Sequence, residues 1–334
     1  MKKARRASKP LYRRWWRSLR RLWRTFRRGR PWAGNYAGPA AVRWVSHLLL
    51  AARVSTLGRD LRSRLANFLS AHRLGTMEGT GAREAITVAN GRQSNALFLC
   101  NRLELEILRD VLLDDEYEPG AIPHPEVILD LGSNIGTSVV FLRHRFPDAR
   151  IIGVEPDPAT FPRLERNVRG VRGVSLIQAA VSAEDGWSAF RSEQLSPLSS
   201  LASSPSRAGP TVRTSSIDSI LAEAGVSHAD LVKIDVEGSE YEALKAFSGL
   251  RWVNAIVGEF HPPLAGKKPD KFFELLRGFE VKAVRRSPNK TSFWAVRFGG
   301  GCDDARDVGH AEPGGHDDRQ VEPSARSRVG SCSR

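Results

Sequence analysis

Val127-Ile-Leu-Asp-Leu-Gly-Ser-Asn-Ile-Gly-Thr137 is the most informative stretch of this 334-residue chain. It begins with a short apolar run that ends in Asp130-Leu131, which is typical of a buried strand. Gly132 and Gly136 then enclose a turn, because glycine permits backbone conformations that other residues avoid. A helical stretch over 138–145 follows. Strand, glycine-rich turn and helix in this order predict the first unit of a doubly wound α/β sheet, whose turn lies at the ligand-binding carboxyl edge.

The same alternation continues to the end of the domain. Strand-like runs lie at 126–131, 150–155, 174–178, 230–235 and 253–259, with helical or loop stretches between them. Two more runs, 279–284 and 291–298, are joined across Ser287-Pro288-Asn289 and predict an antiparallel hairpin. We therefore predict an α/β fold with a doubly wound, mostly parallel seven-stranded sheet that closes with this hairpin.

The rest of the chain divides into three further segments. We predict a basic arm over 1–34, a helical and hairpin preface over 35–120, the sheet domain over 121–298 and a disordered tail over 299–334. Within the preface, 41–72 predicts one or two helices, 85–100 two strands around an Asn-Gly turn, and 104–113 a helix. The Ser- and Pro-rich segment 192–210 predicts a long loop.

The positive charge of the chain is concentrated in the arm. The chain has 51 Lys and Arg against 37 Asp and Glu, and residues 1–30 hold fourteen of the basic residues and no acid. Large apolar residues recur every three or four positions over 11–28, with arginines between them, which predicts an interfacial amphipathic helix. An anionic membrane surface is the expected partner, and nucleic acid or a solvated, partner-docked tail are the alternatives.

Several classes of protein are disfavoured by the composition. Cys100, Cys302 and Cys332 form no C-x-x-C pair, so neither a disulfide framework nor a thiolate zinc site is indicated. The most apolar early stretch, 44–57, is too short for a membrane-spanning helix, and the arm lacks the apolar region of a secretory signal. We expect a cytoplasmic protein that is peripheral at the inner face of a membrane.

The glycine spacing favours one class of cofactor. Gly132-x-x-x-Gly136, preceded by Asp130, differs from the Gly-x-Gly-x-x-Gly pattern that binds a pyrophosphate. S-adenosyl-L-methionine has no phosphate, and an acid such as Asp130 can balance the ammonium and sulfonium of its methionine end. Glu155 follows 19 residues after Gly136, at the end of the second strand, where an acid accepts both ribose hydroxyls.

Residues 125–298 resemble the FkbM-type S-adenosylmethionine-dependent methyltransferases. The resemblance rests on Asp130-Leu-Gly-Ser-Asn-Ile-Gly136, Gly153-Val-Glu155-Pro156 and Leu231-Val-Lys-Ile-Asp-Val-Glu-Gly-Ser-Glu240. It implies a methyltransferase sheet and methyl transfer to a hydroxyl oxygen of a sugar, polyketide, lipid-linked or other small molecule. Gln178 stands where methyltransferases often have a short acid after the third strand. The expected cofactor-binding residues are Asp130, Gly132, Ser133, Asn134, Gly136, Glu155 and Gln178.

Methyl transfer to a hydroxyl benefits from a general base, which typically adds about 10²- to 10⁴-fold in rate. The candidates follow the fourth and fifth strands and are Asp235, Glu237, Glu259 and His261. We favour His261, since imidazole has a near-neutral intrinsic pKa, while a structural or substrate-contact role is its alternative. Glu237 alternatively caps the next helix. Asp235, Glu259 and His261 suit magnesium or manganese, but no ligand pair has diagnostic spacing, and we expect no metal.

Three functions are compatible with these patterns. The first is an O-methyltransferase that uses S-adenosyl-L-methionine. The second is a non-catalytic membrane- or partner-binding protein with a methyltransferase-like fold, in which the arm is the binding segment. The third is an RNA methyltransferase that captures its substrate through the arm.

Overall fold

The structure is a computed structural model that describes residues 40–76, 83–90, 93–118, 122, 124–191, 200–201, 210–286 and 289–297. The predicted arm over 1–34 and tail over 299–334 lie outside the described residues, as does most of the predicted loop over 192–210. Those predictions, and the segment boundaries assigned from the sequence, stay predictions.

The described helices and strands follow one another along the chain. They are α1 (Ala40–Ser55), α2 (Leu61–Thr76), β1 (Glu84–Asn90), β2 (Gln93–Leu99), α3 (Arg102–Leu112), β3 (Val127–Leu131), α4 (Thr137–Arg145), β4 (Arg150–Val154), α5 (Phe161–Val168), β5 (Val174–Ile177), β6 (Ala180–Val181), β7 (Gly186–Arg191), β8 (Ser200–Leu201), β9 (Thr211–Ser215), α6 (Ile217–Glu223), β10 (Leu231–Ile234), α7 (Glu240–Ala246), a 3₁₀ helix (Ser248–Trp252), β11 (Ala255–Phe260), α8 (Pro262–Ala265), α9 (Pro269–Glu274), β12 (Phe279–Arg286) and β13 (Thr291–Arg297).

A seven-stranded sheet organises the domain, in the order β12-β13-β11-β10-β3-β4-β5. The strands β5, β4, β3, β10 and β11 pair in parallel, whereas β13 is antiparallel to both β11 and β12. The prediction of a mostly parallel sheet with a terminal antiparallel hairpin is therefore confirmed. The order of strands along the chain reverses between β3 and β10, which makes the carboxyl edge of these two strands the switch point.

The strands are apolar along their whole length because both faces of the sheet are covered. Successive side chains point to opposite faces, so Ile128 and Ile151 belong to one hydrophobic cluster and Leu129 and Ile152 to the other. The first cluster includes buried residues of α1–α3 and of the β1–β2 hairpin. The second includes buried residues of α6, α7 and α9. This two-sided burial produces near-continuous hydrophobic runs rather than alternation.

The preface has the predicted elements. Helices α1 and α2 occupy the segment predicted to be helical, and β1 pairs with β2, with Asn90 opposite Gln93. Gly91 of the predicted Asn-Gly turn lies outside the described residues. The fully buried Asn67 joins α2 to the hairpin, since it accepts from Thr87 N (2.8 Å) and donates to Thr87 O (2.7 Å). In the part of the chain that the structure describes, no helix is both long and apolar enough to cross a membrane.

A second, four-stranded sheet was not predicted. Its order is β6-β9-β7-β8, and β8 lies within the segment predicted to be a loop, so that prediction is wrong for Ser200–Leu201. The sequence signal was weak because the hydrophobic cluster of this sheet consists, among the residues that the structure describes, of Ala180, Phe190 and Val212. Short strands with so few apolar residues do not differ in pattern from a polar loop.

We predict that Asn67→Ala destabilises the preface. The substitution removes two hydrogen bonds and leaves the buried backbone groups of Thr87 without these partners, which costs about 1–3 kcal/mol. Denaturant unfolding followed by circular dichroism measures the loss. Ala66→Ser, at an exposed position one residue away on α2, is the control and should unfold as the wild type does. Equal midpoints for the two variants would contradict the role of Asn67.

Candidate active site

The turn between β3 and α4 is held against the end of β10. Gly132, Asn134 and Gly136 have φ values of 80°, 48° and 95°, in the left-handed region. A Cβ atom on Gly132 would lie 1.8 Å from the carbonyl oxygen of Asp235, so only glycine allows this approach. Gly132 N and Ser133 N both donate to Val154 O at 2.9 Å. The predicted cofactor turn thus contacts Asp235, which follows β10 and is one of the candidate bases.

Asp130 is fully buried beneath this turn and is paired within the protein. Its Oδ1 lies 3.3 Å from Nζ of Lys233, which is directly opposite it on β10, and its Oδ2 accepts from Ser138 Oγ (2.6 Å). Lys233 also donates to the carbonyl oxygens of Leu131 (3.2 Å) and Gly132 (2.6 Å). Burial lowers the pKa of Lys233, but the carboxylates of Asp130 and Asp235 outweigh this and raise it, so Lys233 is charged.

Glu155 directly follows β4, beside the same turn. Its Oε2 accepts from Asn134 N (2.9 Å) and its Oε1 from Asp157 N (3.0 Å), which fixes the carboxyl group at the carboxyl edge. Burial raises the pKa of Glu155 to about 7, although both backbone hydrogen bonds oppose the shift. Gln178, one residue after β5, is exposed. Both side chains therefore lie at the edge where the sequence predicts cofactor contacts.

A cluster of ionisable side chains, which we call the carboxylate cluster, occupies the carboxyl edge of β10 and β11. Its members come from four parts of the chain and are Glu116, Asp235, Glu237, Glu240, Glu259, His261 and Lys290. All four predicted catalytic residues, Asp235, Glu237, Glu259 and His261, are brought together in it. Tyr117 from the preface donates to Asp235 Oδ2 at 2.9 Å. Burial and the charge of Glu259 raise the pKa of Asp235.

His261 lies at the centre of the cluster between three carboxyl groups. Its Nδ1 is 2.8 Å from Oε1 of the fully buried Glu240, and its Nε2 is 3.4 Å from Glu259 and 3.6 Å from Glu237. Burial lowers the pKa of His261, but the hydrogen bonds to Glu240 and Glu259 and the nearby charges outweigh it and raise the pKa to about 11. At neutral pH His261 is therefore an imidazolium, whereas the sequence suggested a near-neutral pKa.

Among His261 and the three carboxyl groups around it, Glu237 has the most accessible side chain. Its side chain is 21% exposed against 7% for His261, and its backbone has φ of 53°, a strained conformation for a residue with a side chain. Burial and the charge of Asp235 raise the pKa of Glu237 to about 8, while the charge of His261 opposes the shift. A carboxyl group of this pKa releases and takes up a proton near physiological pH.

Glu259 and Glu116 complete the far side of the cluster. Lys290 Nζ lies 2.5 Å from Glu259 Oε1, and Ser292 donates to both Glu259 (3.3 Å) and Glu116 (3.1 Å). Burial would raise the pKa of Glu259, but the hydrogen bond from His261 and the charge of Lys290 lower it to about 2. Burial and the charge of Glu259 raise the pKa of Glu116 to about 7. Glu259 is thus a permanent anion, and Glu116 titrates near neutrality.

Asp235, Glu259 and His261 each place one ligand-type atom within 4.8 Å of the others. Their oxygen and nitrogen donors have the chemistry that suits magnesium or manganese. Both ring nitrogens of His261 and one oxygen of Glu259, however, already face charged partners within the cluster. A metal ion bound by these three residues would therefore have to displace the proton of His261 and compete with the ammonium group of Lys290.

Sequence reasoning missed several residues of this site. Glu116 and Tyr117 follow α3 in a segment without hydrophobic periodicity, and Lys290 and Ser292 belong to the β12–β13 hairpin. Only the fold brings these four residues to the carboxyl edge of the sheet. Lys233 did carry a signal, because a lysine in the middle of the apolar run Leu-Val-Lys-Ile must be buried and paired.

We predict that Gly132→Ala destabilises the domain and separates the turn from β10. The left-handed φ alone costs roughly 1–3 kcal/mol, and the clash with the Asp235 carbonyl adds to it. Thermal unfolding measures the effect. Gly170→Ala is the control, since a Cβ at Gly170 meets nothing within 4 Å, and it should melt at nearly the temperature of the wild type. A Gly132→Ala variant as stable as this control would contradict the close approach.

Comparison with known proteins identifies the family of this chain. The sequence profile of the methyltransferase FkbM domain matches residues 130–282. The hexuronic acid methyltransferase AglP of Haloferax volcanii is 30% identical over 52% of this chain and 68% of its own length. The 31-O-demethyl-FK506 methyltransferase FkbM of Streptomyces tacrolimicus is 28% identical over 44% of this chain and 67% of its own. Methyltransferase 1 of Beauveria bassiana is 26% identical over 45% and 70%. The resemblance seen in the sequence is confirmed, and the chain belongs to the FkbM methyltransferase family.

Proposed function

We propose that this protein is an S-adenosyl-L-methionine-dependent O-methyltransferase, with a hydroxyl of a sugar, a lipid-linked sugar or another small molecule as acceptor. The observation that carries the proposal is the contact between the glycine-rich turn and the carboxylate cluster at Gly132 and Asp235. A methyl donor held at the turn would lie next to a group that takes a proton. The name of the related 31-O-demethyl-FK506 methyltransferase supports an oxygen acceptor, and that of the hexuronic acid methyltransferase supports a sugar.

The residues at the turn fit this cofactor. Gly132 and Asn134 are partly exposed at the carboxyl edge, and Glu155 presents a carboxyl group whose two oxygens each retain acceptor capacity beyond their one backbone bond. A ribose diol donates to such a group. Asp130 supports the turn through Lys233 and Ser138, and a direct contact from Asp130 to the sulfonium stays a prediction.

The bound cofactor supplies an electrophilic methyl group on a sulfonium. The protein supplies position and proton removal, since holding the acceptor oxygen in line contributes much of the rate of a displacement. We assign the base to Glu237, because it is the most accessible carboxyl group beside His261 and has a pKa of about 8. Its ionised form accepts the hydroxyl proton as the new carbon–oxygen bond forms.

His261 then acts as a fixed cation rather than as the base. Glu240 and Glu259 hold its two nitrogens, and its charge keeps the pKa of Glu237 from rising further. This assignment replaces our preference for His261 from the sequence, because a histidine with a pKa of about 11 has no free lone pair at neutral pH.

We predict that S-adenosyl-L-methionine binds the full chain and that Glu155→Ala weakens the binding at least tenfold, which corresponds to about 1.4 kcal/mol. The loss follows from removing the acceptor of the ribose hydroxyls. Isothermal titration calorimetry measures both affinities. Glu165→Ala, which removes an exposed carboxyl group from α5, is the control and should leave the affinity unchanged. A folded wild-type chain that does not bind the cofactor would refute the proposed function.

We predict a pH-dependent gain in stability for Glu237→Gln. The folded pKa of about 8 lies above the ordinary value of 4.5, so the folded chain binds the extra proton between these values. Wild-type stability therefore falls as the pH rises from about 4.5 to about 8, and the glutamine variant does not share this loss. At about pH 8.5 the variant should melt about 2–4 °C higher for each kcal/mol gained, and near about pH 5 the difference should vanish.

The same variant should transfer methyl groups at least about a hundredfold more slowly. Unfolding is excluded as the cause if the variant is at least as stable as the wild type and binds the cofactor equally well. Glu242→Gln, on the exposed side of α7, is the matched control. His261→Gln tests the assignment of the base: because the histidine charge lowers the pKa of Glu237, its loss should move the rising limb of the pH–rate profile to higher pH. Activity lost at every pH in His261→Gln but kept in Glu237→Gln would make His261 the base.

A further inference from the structure

One side of helix α2 carries exposed leucines. Leu61, Leu65 and Leu69 are 84%, 58% and 44% exposed, and their spacing of four places them on one face of the helix. The opposite side is buried among α1 and the hairpin and consists of Asn67, Ser70, Ala71 and Leu74. The leucine row extends roughly 12 Å along the helix axis. Within the described residues, these leucines are not part of either hydrophobic cluster of the sheet domain.

The charge around this row is positive. Arg59, Arg62 and Arg64 are exposed near Leu61, and they outnumber the exposed Asp60 that lies beside them. Elsewhere in the sequence, residues 1–39 have fourteen basic side chains and no acid. A second copy of this surface, or the chain's own basic arm, would bring like charges together at the leucines. Like charges in close contact disfavour both of these occupants.

We propose that the leucine–arginine face formed by α2 and the segment just before it (Arg59, Leu61, Arg62, Leu65 and Leu69) docks on an anionic phospholipid bilayer. A helix lying in the interface places its apolar side at the acyl boundary and its basic side chains among the headgroup phosphates. Each basic residue near an anionic leaflet strengthens the attraction. The face belongs to the folded domain and is distinct from the segment 11–28 for which the sequence predicted membrane binding. Buried residues of α2, of the β1–β2 hairpin and of β3 belong to one hydrophobic cluster. Docking of α2 would therefore fix the sheet domain relative to the membrane surface.

Sedimentation with sucrose-loaded vesicles tests this docking on the full chain. The vesicles contain phosphatidylcholine alone or phosphatidylcholine with about 30% phosphatidylglycerol. Wild-type protein should bind the anionic vesicles, and the triple variant Leu61→Ser/Leu65→Ser/Leu69→Ser should bind them at least about tenfold more weakly, because three side chains lose their contact with the acyl chains. Trp252→Ser is the control, since Trp252 is 49% exposed and lies outside the face, and it should bind as the wild type does.

A charge-reversed pair tests the second component. Arg59→Glu/Arg62→Glu should weaken binding several-fold at about 50 mM salt, and the difference should shrink at about 500 mM salt because the interaction is screened. Lys267→Glu/Lys271→Glu changes the net charge equally at exposed lysines elsewhere and should have a smaller effect. Melting temperatures of all variants establish that they are folded.

Three results would overturn the proposal. Wild-type protein that does not bind anionic vesicles would refute it directly. A triple leucine variant that binds as well as the wild type would assign any membrane binding to other parts of the chain. A triple variant that changes from dimer to monomer in sedimentation equilibrium would show that a second copy covers the leucines.

Discussion

The buried ion pair between Lys233 and Asp130 holds the candidate active site together. It joins β10 to β3 at the point where the strand order reverses, and the same ammonium group binds the carbonyl oxygens of Leu131 and Gly132. Burying two charges costs several kcal/mol of desolvation, which the pair recovers only with good geometry and further hydrogen bonds. Ser138 and the two carbonyl groups supply these. The glycine-rich turn is therefore positioned by an electrostatic contact as well as by packing.

Around this pair the carboxyl edge has more acidic than basic side chains. Three cationic side chains lie among five acidic ones: His261, Lys290 and Lys233 among Asp235, Glu237, Glu240, Glu259 and Glu116. Burial and the excess negative charge raise the pKa of Glu237 to about 8 and that of Glu116 to about 7. Carboxyl groups that would be ionised in water thus retain protons in the fold. Pairs of groups whose environments separate their pKa values are a common arrangement for acid–base chemistry. Glu259, with a pKa of about 2, and Glu237, with a pKa of about 8, form such a pair beside the same ring nitrogen, Nε2 of His261.

This arrangement is unfavourable for stability and useful for function. The raised pKa of Glu237 means that ionising it destabilises the folded state, and its left-handed backbone adds strain. Strands β10 and β11 are buried along their whole length, and the stability of this sheet offsets the cost of the ionised carboxylate and of the strained backbone. Strain and perturbed pKa values concentrate at functional sites for this reason.

The central sheet, and the edge at which the candidate site lies, follow from the amino-acid sequence alone. Apolar runs long enough to be buried on both faces, together with Gly132 and Gly136, specify parallel strands and a ligand-binding turn. Residues such as Asp235 and His261, which follow these strands, must then meet at one edge.

Tertiary packing determines the remaining members of the site and their charges. Glu116 and Tyr117 reach the edge from the preface and Lys290 from the hairpin, and no local pattern in the sequence indicates this proximity. The pKa of His261 likewise depends on three carboxyl groups that lie 2.8, 3.4 and 3.6 Å from its ring nitrogens but are mostly distant along the chain. Periodicity and spacing report burial and strand order, whereas electrostatic interactions depend on distances that only the folded chain defines.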